Sequence, residues 1–115
     1  MEDFLGYFPL SYTKIASMKN TPQANLSLQV NPINEKNAYP IIDEAIRVIQ
    51  DSGLRYRVQP FSTIVEGALS ELIDEMLAAK EAALAAGGDE LVLNIQIHLK
   101  KSGDVSFEDK TAKFE

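Results

Sequence analysis

Residues 56–67, Tyr-Arg-Val-Gln-Pro-Phe-Ser-Thr-Ile-Val-Glu-Gly, constrain the fold of this chain more than any other stretch. Tyr56 and Val58 alternate with Arg57 and Gln59. The run from Phe61 to Val65 is aromatic, β-branched or hydroxylic, and Gly67 closes it. Period-two alternation with β-branched side chains predicts two strands. Pro60 has no backbone donor, so it belongs at the bend between them rather than inside a ladder. The stretch is therefore a hairpin or a corner. Ser62, Thr63 and Glu66 set polar groups beside apolar ones, a mixture that a small-molecule site needs and that an ordinary amphipathic hairpin also shows.

The flanking segments supply the rest of a domain. Asn25–Pro32 alternates Leu26, Leu28 and Val30 with Ser27, Gln29 and Asn31, the pattern of a half-buried strand. An Asn- and Pro-rich loop follows over 32–37. Pro40–Ser52 is predicted helical, with Ile41, Ile42, Ala45, Ile46 and Ile49 on one stripe. Asp43 and Glu44 are expected near the positive end of its dipole, and Gly53 just past its end. A longer helix is predicted over Ala68–Ala86, with Ser70 as N-cap and Gly87-Gly88 as stop. Glu90–Lys100 reads as the last strand, with Leu91, Leu93, Ile95 and Ile97 on one face. Ser106 and Asp109 form a capping box that opens a short terminal helix.

The order β-α-β-β-α-β, joined by right-handed crossovers, gives a ferredoxin-like fold. This is an α+β two-layer sandwich: a four-stranded antiparallel sheet with both helices on one face. The apolar sets of the first and last strands, Leu26/Leu28/Val30 and Leu91/Leu93/Ile95/Ile97, are expected to face the helices. The other face then carries Ser27, Gln29, Asn31, Arg55, Arg57, Gln59, Val92, Asn94, Gln96 and His98. Such a face either meets water or packs on a subunit or ligand. Its amides, which are donor and acceptor at once, favour the second and make Gln29, Asn31 and Asn94 candidate ligand contacts.

Composition closes off several functions. The 115 residues suit one domain over 24–115, preceded by an irregular arm over 1–23 that is rich in Phe, Tyr and Leu and expected to dock on a surface. Met18 offers a second start, which makes 1–17 an optional extension. A net charge of −6 argues against nucleic acid. Cysteine is absent and His98 is the single histidine, so thiolate sites, catalytic triads and multi-histidine metal sites cannot be built within one chain. No apolar run is long enough for a membrane span and no signal peptide pattern opens the chain, so the expected location is cytoplasmic.

The spacing Leu54-x-Tyr56-x-Val58-x-Pro60, continued by Ser62-Thr63-Ile64-Val65-Glu66-Gly67, resembles the small thiamine-binding protein family, whose hallmark is Y-x-V-x-P-x-x-T-x-x-E-G between two helices. The likeness extends through Asp51-Ser52-Gly53, Leu93–Ile97 and Ser106–Lys110, covering about residues 24–115. It implies a ferredoxin-like fold and homo-oligomers, usually dimers that pair into tetramers. It also implies binding of thiamine or its hydroxymethylpyrimidine half, as ligand rather than cofactor and without catalysis. Thr63 and Glu66 match the motif directly, and Ser62 stands where the family has a small or amide side chain. Strand alternation puts Thr63 and Glu66 on opposite faces. The rival readings are a structural or regulatory oligomerisation domain without ligand, and a small ferredoxin-like enzyme.

Overall fold

The computed structural model describes residues 22–115. The arm and the second start at Met18 lie outside the described residues, except that Gln23 already belongs to the first strand. The elements are β1 (Gln23–Pro32), α1 (Tyr39–Gln50), β2 (Arg55–Val58), β3 (Thr63–Ala68), α2 (Leu69–Ala85), β4 (Leu91–His98) and a short α3 (Phe107–Thr111) that runs into a 3-10 turn, Ala112–Phe114. The four strands form one antiparallel sheet in the order β2-β3-β1-β4. This is the ferredoxin-like arrangement. No helix among the described residues is long and apolar enough to cross a membrane.

The core lies between one sheet face and the two long helices. Leu26, Leu28 and Val30 of β1 and Val65 of β3 meet Ile41, Ala45 and Ile49 of α1 and Leu72, Ala79 and Ala83 of α2. Each fully buried Leu, Ile or Val contributes about 1.5–3 kcal/mol relative to exposure. The alanines let α2 lie close to both the sheet and α1.

The first helix starts within a residue of the predicted position, with its acidic residues placed differently, and the second is capped elsewhere. Helix α1 begins at Tyr39, which puts Pro40 in its first turn and Asp43 and Glu44 beyond it. Proline there removes a donor that has no helical partner anyway, so it is tolerated in the first turn. Helix α2 is capped at Ala68, not Ser70. Strand β3 runs straight into it, and the Ala68 amide donates to Glu71 Oε1 at 3.0 Å. Ser70 falls inside the first turn, and its hydroxyl is buried without a partner. The other end is a Schellman motif: Gly87 has φ 118°, Gly88 N–H donates to Ala83 O at 3.0 Å and Gly87 N–H to Leu84 O at 3.2 Å.

Strand β4 needs a second correction. Register puts Leu93, Ile95 and Ile97 opposite Val30, Leu28 and Leu26, on the helix side as expected. Leu91 and Leu93 do pack on the core, but Ile95 and Ile97 remain 41% and 38% exposed. Helix α2 lies over β1 and β3, and neither helix makes more than marginal contact with the outer strand. The helix layer is narrower than the sheet, so half of the apolar face of β4 stays open.

Candidate functional site

The pairing of β1 with β3 ends at Leu28 opposite Thr63. Beyond that rung the hairpin turns, closed by a hydrogen bond from Gln59 N–H to Ser62 O at 2.8 Å, while β1 continues to Pro32. The two backbones part there, and α1 passes over the gap. The result is a slot of about 280 Å³. Leu28, Val30, Ile42 and Ile46 give it apolar walls. Gln29, Asn31, Asp43, Gln59, Ser62 and Thr63 supply polar groups, and Tyr39 and Phe61, 76% and 81% exposed, stand at its mouth.

Four of the six candidate residues meet in this slot: Gln29, Asn31, Ser62 and Thr63. Thr63 is 4% exposed, and its hydroxyl makes no hydrogen bond to another described residue. The side-chain oxygen of Gln29 accepts from Asn94 Nδ2 at 2.9 Å and from Asn31 Nδ2 at 3.2 Å. Asn94 therefore reaches the slot through Gln29. It lines, with Gln29 and Ser62, a shallow depression on the open face.

Glu66 lies elsewhere. It shares the open face with Arg55 and Asn25 along one rung of the sheet. Its Oε1 accepts from the Phe107 amide at 2.8 Å and from Asn25 Nδ2 at 3.4 Å, and Arg55 stands 3.8 Å from Oε2. It lines none of the cavities described here. As alternation requires, Thr63 and Glu66 occupy opposite faces, and the carboxylate at the slot is Asp43 instead. The sequence reading assigned Asp43 only to the helix dipole. A signal was present: Ile42 and Ile46 widen the apolar stripe of α1 beyond what the Ile41/Ala45/Ile49 core stripe requires, and Asp43 borders that extra width.

The slot combines flat apolar walls, several neutral donors and acceptors, and one carboxylate at its rim. That suits a planar heterocycle with ring nitrogens and an exocyclic amine. Among the described residues no cluster of three or more His, Asp or Glu side chains is arranged to hold a metal ion.

The family model described as thiamine-binding protein matches residues 26–115. A UPF0045 protein of Clostridium perfringens is 28% identical over 91 residues, which span 78% of this chain and 95% of that protein. Among solved structures, a domain of unknown function (DUF77) from Bacillus cereus superposes with a TM-score of 0.80 at 35% identity, covering 86% of this chain and 94% of that one. A Thermotoga maritima protein assigned provisionally to thiamine biosynthesis or salvage superposes with a TM-score of 0.75 at 29% identity, covering 82% and 100%.

Proposed function

The chain belongs to the thiamine-binding protein family, and from that premise we propose that it binds thiamine, or thiamine's hydroxymethylpyrimidine half, in the slot between α1 and the β2–β3 hairpin. The observation that carries this reading is Thr63, a residue only 4% exposed in the slot wall whose hydroxyl makes no hydrogen bond to any described residue. A slot of about 280 Å³ sits at the lower end of the roughly 300–1,000 Å³ typical of ligand pockets, so it accommodates one ring rather than two. The pyrimidine is the half that enters. It lies between Leu28 and Val30 on one side and Ile42 and Ile46 on the other, with its nitrogens turned to Thr63 and Ser62. The cationic thiazolium stays at the mouth, near Asp43 and the rings of Phe61 and Tyr39.

This is binding without turnover. Asp43 and Tyr39 are the ionisable side chains in the slot wall, and His98 stands on the opposite face of the sheet. Copies of the chain associate along the uncovered apolar half of β4, as dimers or dimers of dimers.

Titration calorimetry with thiamine and with free hydroxymethylpyrimidine tests the reading. Saturable heat is expected from both, and Thr63→Val and Asp43→Asn should each weaken binding about tenfold while the protein stays folded, a loss of roughly 1.4 kcal/mol. Absence of heat and of any thermal shift at millimolar ligand refutes it.

A further inference from the structure

Among the described residues that line the α1 slot, Asp43 carries the only charge, and none is Lys, Arg or His. Asp43 is exposed and makes no hydrogen bond or ion pair with another described residue. Arg47, one turn along the same helix, is engaged instead by Glu44 at 3.2 Å. Lys36, in the loop before the helix, does not line the slot. The mouth of the slot is therefore negative, with nothing in its wall to neutralise it.

The start of α1 stands at the same mouth, since Tyr39 opens the helix and lines the slot. A helix start commonly holds a phosphate, because its first amides have no helical acceptor. Here those donors are nearly all gone. Pro40 has no N–H, and the amides of Ile41 and Ile42 both donate to Ala38 O, at 3.1 and 3.0 Å. The Tyr39 amide is left, one donor where a phosphate cradle uses several. The place that could have welcomed an anion has lost its donors and gained a carboxylate.

We propose that the slot takes the free alcohol of thiamine and rejects its phosphate esters, with Asp43 as the residue that discriminates. This rests on the thiamine reading above, in which the thiazolium stays at the mouth. That ring carries the hydroxyethyl tail, so esterification brings a phosphate carrying a charge of about −1.5 to −2 beside Asp43. The attraction between Asp43 and the ring cation is then offset by repulsion from the tail, and no basic side chain in the wall relieves it. The ligand pool served by the protein is the one ahead of phosphoryl transfer to that alcohol, or the one restored when a phosphatase removes the ester.

The test is calorimetric titration of the full chain with thiamine, thiamine monophosphate and thiamine diphosphate, at about 0.05 M and about 0.5 M salt. At low salt the monophosphate is expected to bind at least tenfold more weakly than thiamine, and the diphosphate no better than the monophosphate. The gap should narrow at high salt, because exposed charges are screened there. Asp43 lies on the exposed side of α1, so Asp43→Asn should fold normally. It is expected to weaken thiamine about tenfold while leaving the monophosphate unchanged or tighter, which brings the two within about threefold of each other. A monophosphate that matches or exceeds thiamine in the unaltered protein overturns this proposal and leaves the thiamine reading standing. A gap that neither salt nor Asp43→Asn reduces also overturns it, since size and not charge then excludes the ester. If thiamine itself gives no heat, both readings fall.

Discussion

The Glu66 carboxylate accepts from the Phe107 amide and from Asn25, with Arg55 close behind. Hydrogen bonds to a charged group are worth about 1.5–3 kcal/mol, and orphaning the Phe107 amide and the Asn25 side chain adds to the loss. Glu66→Ala should therefore lower stability in urea by about 2–3 kcal/mol while leaving thiamine affinity nearly unchanged, since Glu66 is outside the slot. Thr63→Val should do the reverse. The motif spacing marks both residues alike; only the register, with Thr63 opposite Leu28 and Glu66 opposite Asn25, separates their duties. Glu75 follows another logic. Burial, and secondarily the neighbouring Asp74, raise its pKa above the ordinary 4.5. A carboxyl raised in the folded state favours folding fully while protonated in both states, below about pH 4.5. That contribution is lost as pH rises through the higher folded value. Glu75→Gln should flatten this acid-side gain, seen as a melting temperature that changes less between acid and neutral pH.

Period-based reading found every long element because helical and strand periods are local properties of the chain. The terminal helix was legible for the same reason: Ser106 Oγ accepts from the Asp109 amide at 3.2 Å, the bond its spacing predicts. What could not be read was where elements stop covering one another. The expectation that Ile95 and Ile97 would be buried assumed a helix layer as wide as the sheet. The cap at Ala68 depends on β3 passing into α2 without a loop, which a Ser at position 70 obscures. Helix α3, five residues long, is too short to persist alone and is held by the buried Phe107 ring, with Arg55 and Arg57 stacked 5.2 and 5.4 Å from its centroid. Phe107→Ala should cost about 3–5 kcal/mol and speed hydrogen exchange across residues 107–114 well beyond its effect on α1. Gly87→Ala, forced into a left-handed backbone, should cost about 1–2 kcal/mol by urea denaturation.

The architecture as a whole followed from the order of its elements, because few topologies satisfy right-handed crossovers with two helices on one face. The slot did not, since it arises where two strands part, a feature of register rather than of composition. Association is the property that belongs to this scale. Ile95, Ile97 and Leu99 leave an apolar strip on an edge strand, the kind of surface a monomer seldom keeps exposed. Sedimentation velocity should show a species larger than one chain, and Ile97→Lys should shift it toward the monomer without abolishing thiamine binding.

The central position of β1 has a consequence in time. Its neighbours β3 and β4 are made after it, and Gln23 is tied to Asp104, 81 residues later, through a backbone-to-carboxylate bond of 2.8 Å. At about 5–20 residues per second, a ribosome needs several seconds to deliver that partner. For the first half of that interval the strand on which everything else is built has neither neighbour; β3 follows about midway and β4 only near its end. The nascent chain must keep Leu26, Leu28 and Val30 from other partners until β4 emerges, so the sheet closes only once its last strand has been made.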